Sequence, residues 1–449
     1  MHRPEDPPAP AIRRRRHLRN TAITLALGAV MFTVGAIGLS PAGSGTPEPD
    51  TSVTASPASG QARGIEAMRE RVRRLPKDPV SWADLGMALV QQARTTADQS
   101  TYAQAETALR RSLALLPAEN LHAEIGMGAL AAARHSFRDA LTWARRAIAT
   151  SPATPASYGV LADAHTQLGR YKDAEDAVQK MADLRPDSSS LARASYTFEL
   201  RGDTGRATSL MERALRAGGT PGERAFAHTH LASLAQESGD PATALRLADA
   251  GLALAPRDPG LLAARAKAHA ARGEFRQAVA DYTTAVAAAP LPQYLLELGE
   301  LQQSLGHRDE AEGQYAVLRA QETLSRAGRA PADVDAILFE ADHGDPRRAV
   351  TMAEAAVRER PFIAVQDAYA WALHRAGRDE QALVPADRSL ALGTHSALFL
   401  YHRGAIHQAL GDTAAARRDL RRALAIDPSF HPLHAPAARA AVRRIDDTP

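Results

Sequence analysis

The stretch YGVLADAHTQLGRYKDAEDAVQKMADLRP, residues 158–186, decides the fold of this chain. Tyr158, Leu161, Ala162 and His165 recur at helical spacing, and Gly169 ends that helix in the left-handed conformation that a residue with a Cβ resists. Tyr171, Ala174, Val178 and Met181 mark a second helix, closed by Pro186, which cannot continue it. A lone helix pair of this kind cannot bury its apolar face and must stack on others like it.

The rest of the chain supplies those others. Alanine recurs at the Ala174 position in Ala105, Ala140, Ala207, Ala244, Ala278, Ala311, Ala349, Ala382 and Ala416, a period of about 34 residues. Five residues before it stands glycine in eight units: Gly169, Gly202, Gly239, Gly273, Gly306, Gly344, Gly377 and Gly411. Twelve residues before it, or nineteen in the first unit with its seven extra residues, the side chain is small in every unit but one, as in Gly86, Gly128, Ala162, Ser195, Ala232, Ala266, Gly299, Ala370 and Gly404, with Ile337 the exception. Twelve residues after it proline closes seven units, at Pro117, Pro152, Pro186, Pro256, Pro290, Pro361 and Pro428. Small residues at both inner positions let the paired helices approach closely.

These positions resemble the tetratricopeptide repeat (TPR) family, over roughly residues 65–445. Arg265, Ala266, His269, Gly273, Phe275, Ala278, Tyr282, Ala285 and Pro290 nearly fill a second unit. Gly404, His407, Leu410, Gly411, Ala416, Leu420, Ala423 and Pro428 nearly fill a third. The resemblance implies an all-α fold, a right-handed α-solenoid of about ten helix-turn-helix repeats. It also implies that the first helices line a concave groove in which a protein or peptide partner lies. In this register the groove is lined by Val80, Ala83, Met87, His122, Ile125, Ala129, Tyr196 and Phe226, continuing through Thr229, Lys267, Leu296, Glu300, Asp367, Trp371, Leu398 and Tyr401. That set lacks the basic-and-asparagine cluster with which chaperone-binding members of the family grip a C-terminal carboxylate.

The expected repeats run over 79–120, 121–154, 155–187, 188–221, 225–258, 259–291, 292–325, 330–362, 363–396 and 397–430, with capping helices at 65–75 and 436–445 and a tail at 446–449. Extra residues around Thr95 to Thr101 predict a loop inside the first unit. The second unit has His135 in place of the turn glycine, and the fourth closes on Gly218-Gly219 followed by Thr220-Pro221. A longer join, Ala320 to Asp333, precedes the eighth unit, where Ile337 and Glu340 depart most from the pattern; a bend or division of the array is expected there.

Composition excludes several functions. Before residue 65 there are seven arginines against four acidic residues; removing them from the totals of 54 and 51 leaves 47 of each sign in the repeats. A neutral solenoid is a poor partner for phosphate backbones, so no nucleic-acid binding is expected. The chain has no cysteine, which rules out thiol catalysis, disulfides, Cys-ligated zinc and lipoprotein processing. No phosphate loop or nucleophile elbow occurs, and no cofactor is expected; the chain is non-catalytic. Sixteen histidines include His395, His402, His407, His431 and His434 near the C-terminus, but His402 and His407 are five apart, not at the i, i+4 spacing of paired ligands. His165, His269 and His407 occupy one repeat position, where the family packs an aromatic, so they are structural. Lysine is confined to Lys77, Lys172, Lys180 and Lys267, an arginine bias that points to a GC-rich bacterial genome.

The N-terminus differs in chemistry. Arg13 to Arg16 and Arg19 close a basic segment, 1–20, ahead of an uncharged run from Thr21 to Ser40. Twenty residues at about 1.5 Å each span a bilayer core of roughly 30 Å, so one transmembrane helix is expected at 21–40. The arginines place its start in the cytoplasm and the repeats outside it. A segment rich in Pro, Gly, Ser and Thr, 41–64, follows as a disordered linker. The alternative is cleavage near residue 42, giving a soluble exported protein that binds a small ligand or metal through its histidine-rich C-terminal repeats.

Overall fold

The structure, a computed structural model, describes residues 57–96, 100–327 and 332–447. Among these residues there are 22 helices and no strand. Helix α1 (Pro57–Arg74) precedes ten helix pairs. These are α2 (Pro79–Thr96) with α3 (Ser100–Leu115), α4 (Leu121–Ala133) with α5 (Phe137–Thr150), α6 (Pro155–Gln167) with α7 (Tyr171–Leu184), α8 (Ser188–Glu199) with α9 (Thr204–Ala217), and α10 (Pro221–Glu237) with α11 (Pro241–Leu254). The second five are α12 (Pro259–Ala271) with α13 (Phe275–Ala288), α14 (Pro292–Ser304) with α15 (Arg308–Ala327), α16 (Val334–His343) with α17 (Pro346–Glu359), α18 (Ile363–Arg375) with α19 (Asp379–Leu390), and α20 (Ala397–Ala409) with α21 (Thr413–Ile426). Helix α22 (His434–Asp446) closes the array.

The ten repeated alanines hold each pair together: none is more than 4% exposed. In every unit but the eighth, where Ile337 stands, the first helix brings a small residue to this contact or to the turn just after it: the Ser195 hydroxyl donates to the Ala207 carbonyl at 2.7 Å. At Gly299, for example, a Cβ would come within 2.5 Å of the Tyr315 ring. First helices form the inner layer and second helices the outer one. Helix α18 buries ten of its 13 residues and α4 nine of 13, whereas α19 buries four of 12 and α5 five of 14. Two arginines add the same clasp in different units. Arg265 bonds Asp281 (2.7 Å) and Asp249 (3.1 Å), and Arg403 bonds Asp419 (2.6 Å) and Asp387 (3.0 Å), each tying a first helix to the second helix of its own unit and of the unit before.

The array winds until it meets itself. The Tyr171 hydroxyl accepts the backbone N–H of Ile363, 192 residues away, at 3.0 Å, and Gln236 reaches Asp427, 191 residues away, at 3.4 Å. Arg138 bonds both Glu359 (2.8 Å) and the carbonyl of Arg358 (2.9 Å). The turn glycines of units three to five sit at this seam. A Cβ on Gly202 would lie 2.3 Å from the carbonyl oxygen of Gly393, and one on Gly239 would lie 2.6 Å from that of Ile426. Gly273, Gly306, Gly377 and Gly411, away from the seam, have nothing within 4 Å of that position.

Several expectations are corrected. Residues 1–56, including the expected transmembrane helix at 21–40 and most of the linker, lie outside the described residues. The last part of that linker is helical: α1 starts at Pro57, because proline suits a first helical position and the run anchored by buried Ile65 and Val72 extends back to it. The extra residues of unit one lengthen α2 to Thr96 rather than forming a loop from Thr95. Unit five begins at Pro221, not 225, since Thr220 and Glu223 make a reciprocal capping box there. The join before unit eight is shorter than expected because α15 runs on to Ala327. At unit eight, Phe339 packs into the core of unit seven with Leu295 and Tyr315, while Ile337 is fully buried in a core that continues through Trp371 to Ile445. Seven turn glycines have φ between 69° and 85°, and His135 adopts 59° in the same place. Gly344 does not, with φ −131°, because α17 starts at Pro346 and leaves two residues for the turn. The last cap spans His434–Asp446, longer than the expected 436–445.

Gly202→Ala should destabilise the fold clearly more than Gly411→Ala. Both incur about 1 to 2 kcal/mol for a left-handed residue with a Cβ, but the first also forces the seam apart, adding about 1 to 3 kcal/mol. Equal shifts in urea midpoint would contradict the seam. Arg403→Ala leaves the nearly inaccessible Asp419 without its main partner and should cost about 3 kcal/mol or more. Removing the exposed Asp387 should cost under about 1 kcal/mol in the same denaturation assay.

Candidate functional site

The inner layer divides into an open stretch and a filled one. In the open stretch, Lys267 on α12 is about half exposed (49%) and bonds Glu297 on α14 at 2.6 Å. Glu199, Glu237 and Asp335 approach from α8, α10 and α16, making this stretch acidic around one lysine. Enclosure by the protein raises the Glu199 carboxyl well above its ordinary range, with Glu237 adding to the effect. Asp335 is raised by the same enclosure and by Asp333 and Glu297. Burial would lower Lys267, but Glu297, Glu237 and Asp335 outweigh it and hold the ammonium above its usual range.

The filled stretch lies over units seven to ten. Glu300 on α14 stands between two imidazoles, His343 Nε2 at 3.1 Å and His431 Nε2 at 2.9 Å. Burial alone would raise this carboxyl, yet the hydrogen bonds of His431 and His343, and the charge either ring carries once protonated, hold it well below the usual carboxylate range. Asp342 on α16 accepts from the Trp371 indole N–H (3.0 Å) and faces His434 Nε2 (3.4 Å) and Arg375 (3.4 Å). Buried His402 meets Asp367 at 2.9 Å and stacks on Trp371, with ring centroids 4.1 Å apart. His434 stacks on Tyr401 (4.9 Å) and on His431 (4.2 Å), and Phe430 approaches Tyr401 at 5.6 Å. Burial lowers His434 to about 4, against the pull of Asp342, so it is neutral at neutral pH. Burial also pushes the Tyr401 hydroxyl up to about 12.

Of the expected groove residues, the structure brings Glu300, Asp367, Trp371 and Tyr401 into this buried cluster, with Leu296 beside it. Ala83, Ile125, Ala129 and Tyr196 are buried too; Tyr196 joins the core of units eight to ten across the superhelix. Lys267, Val80 and His122 are exposed, the last 3.5 Å from Asp84. Met87, Phe226, Thr229 and Leu398 are half-buried, and Phe226 packs against His230 at 4.1 Å. In this conformation the C-terminal half of the groove is covered by the chain itself.

The repeat pattern missed Asp342, His343, His431 and His434 as members of one site, because they join through the superhelix and not along the sequence. His431 and His434 were visible as part of a histidine-rich end. Among the described residues no group of three or more His, Asp or Glu side chains is placed to hold a metal ion. The nitrogens that metal binding would need are turned to Glu300, Asp342 and Asp367. His269, His374 and His407 instead pair with acidic residues five positions on, Glu274, Asp379 and Asp412, across the turn of their own unit.

Two models of the tetratricopeptide repeat match the chain, at residues 125–189 and 397–430. No curated protein matches it. Similar solved structures include a tetratricopeptide repeat protein from Parabacteroides merdae, 18% identical, covering 58% of this chain and 99% of that one, with a TM-score of 0.34. Human IFIT1, solved as a dimer with PPP-AAAA, is 14% identical over 80% of this chain and 94% of its own, with a TM-score of 0.43. The pilF protein of Pseudomonas aeruginosa is 19% identical over 49% and 97%, with a TM-score of 0.37. The matched stretches coincide with units two, three and ten, which are thereby identified as tetratricopeptide repeats, and the other seven units of the array repeat the same helix pair.

Proposed function

We propose that the chain is a non-catalytic, membrane-tethered scaffold that recruits a protein partner on the extracytoplasmic side of a bacterial membrane. The observation that carries the recruiting role is the open stretch of the inner layer. There the exposed Lys267 and Glu237 lie beside half-buried Phe226 and Thr229 on neighbouring first helices, a mixed polar and apolar surface suited to an extended segment. Its excess of carboxylates favours a partner segment carrying positive charge. Tethering rests on the uncharged run Thr21 to Ser40 behind Arg13 to Arg16. No helix among the described residues is long and apolar enough to cross a membrane.

A reporter that works only outside the cytoplasm, fused after Pro449, should be active, and neutralising Arg13 to Arg16 should weaken or scramble that activity. An active cytoplasmic reporter at the same place would sink the orientation. On the open face, Glu237→Lys, which sets a positive charge against a basic partner segment, should abolish co-purification of the partner that the unaltered chain retains from membranes, with the unfolding midpoint little changed because the side chain is exposed. A partner retained equally by both forms would exclude this stretch as the contact.

A further inference from the structure

The link between α21 and α22 does more than connect two helices. After Asp427, which touches Gln236 of α10, the chain turns inward and places Phe430, His431 and His434 against first helices of four successive units. These are Glu300 on α14, Asp342 on α16, Trp371 on α18 and Tyr401 on α20. This is the same inner layer that carries the open stretch of the proposed function, continued over units seven to ten, and here the segment occupies it in cis. We propose that residues 427–434, with the first turn of α22, form an acid-released latch that covers the inner face of units seven to ten.

The chemistry of the two histidines makes the latch responsive to protons. His431 uses both ring nitrogens: Nδ1 accepts the backbone N–H groups of Leu433 (3.2 Å) and His434 (3.3 Å), and Nε2 donates to Glu300. That pattern requires the neutral ring with its proton on Nε2. A proton on Nδ1 would remove the acceptor that caps the start of α22 and place positive charge at a helix N-terminus, where the dipole opposes it. His434 is enclosed by rings, and there burial outweighs the attraction of Asp342.

The charged and titratable groups facing the latch are Glu300 from α14, Asp342 and His343 from α16, Asp367 and Arg375 from α18, and Tyr401 and His402 from α20. Glu300 stays ionised through mild acid and so keeps favouring the closed form by pairing with His431. The opposing effect comes from His434. Above pH 6.5 neither the closed nor the released His434 binds a proton, and the latch is at its most stable. Between 6.5 and about 4 the released ring takes up a proton that the enclosed ring refuses, so opening becomes easier as pH falls. At pH 5 those two values, for His434 alone, raise the open population on the order of 30-fold relative to pH 7.5, an upper bound that the His431–Glu300 pair reduces.

The full chain has no cysteine, so a single introduced thiol reports opening. Ala435→Cys places it on the first turn of α22, where the native side chain is 1% exposed, and Ala278→Cys places a control in the fully buried pair contact of unit six. With 4,4′-dithiodipyridine as the probe, and rates corrected with an exposed control cysteine, Ala435→Cys should react several-fold faster, up to about 30-fold, at pH 5 than at pH 7.5 while Ala278→Cys stays protected. Adding His431→Asn, which retains a helix-capping acceptor, and His434→Phe, which retains the ring, should leave the site protected at both pH values. A rate at Ala435→Cys unchanged by pH would overturn the latch. So would equal acceleration at Ala278→Cys, which would mean general unfolding, or an acid response undiminished by the two substitutions. The assay uses no partner, so its outcome is separate from whether the proposed scaffold role holds.

Discussion

Everything in this molecule rests on one close approach, repeated in nine of the ten units, between the second helix at its buried alanine and a small side chain on the first. Helices that meet through alanine and glycine come nearer than helices that meet through leucine, and repeating the same residue types repeats the same packing from unit to unit. A constant step between neighbours produces a constant curvature. The seam between units two to five and the junctions some 190 residues later is the outcome of that constancy, since a small error in each step would accumulate and carry Tyr171 past Ile363.

Closure at the seam changes what a solenoid is. An open array has independent neighbours, and its stability is close to a sum of local terms. Here Arg138, Gln236 and the turn glycines of units three to five tie the first half to the second, so a local change reaches residues distant in the chain. Closure also encloses the inner layer. Carboxylates that would be unremarkable on an open groove then need partners, and the array provides them in a consistent way: Arg403 for Asp419, Arg265 for Asp281, Arg193 for Asp163, and histidines for Glu300, Asp342 and Asp367. Such pairs add little net stability over apolar packing, but each would be costly to leave half made, and they favour one registration of the superhelix over its neighbours.

The enclosed face has two different characters as a result. Around Lys267 it remains accessible and acidic. Over units seven to ten it is occupied by the chain's own rings, with imidazoles between carboxylates and Tyr401 and Trp371 stacked against them. The same chemistry that would hold a partner's segment holds the C-terminal segment, and the difference between the two stretches is simply whether the chain returns to cover it.

What the sequence by itself determined was everything governed by local and nearest-neighbour contact: the helix pairs, their number, the burial of the alanines and the left-handed turns, because each depends on residue types within one period. Even its exceptions were informative, as with His135, which takes the conformation of the glycine it replaces. Boundaries were less legible where capping competes with the repeat, as at Thr220 and Glu223, or where good helix formers extend an element, as in α2 and α15. The groove was legible as a face but not as an open or a filled one. Tyr196 and Trp371 fall at equivalent inward positions by sequence, and nothing local distinguishes them from exposed Lys267. Only the tertiary structure decided that Glu300 would meet His431, or that Gly202 would touch Gly393, because those contacts follow from the summed rotation of many units, a quantity no single unit carries.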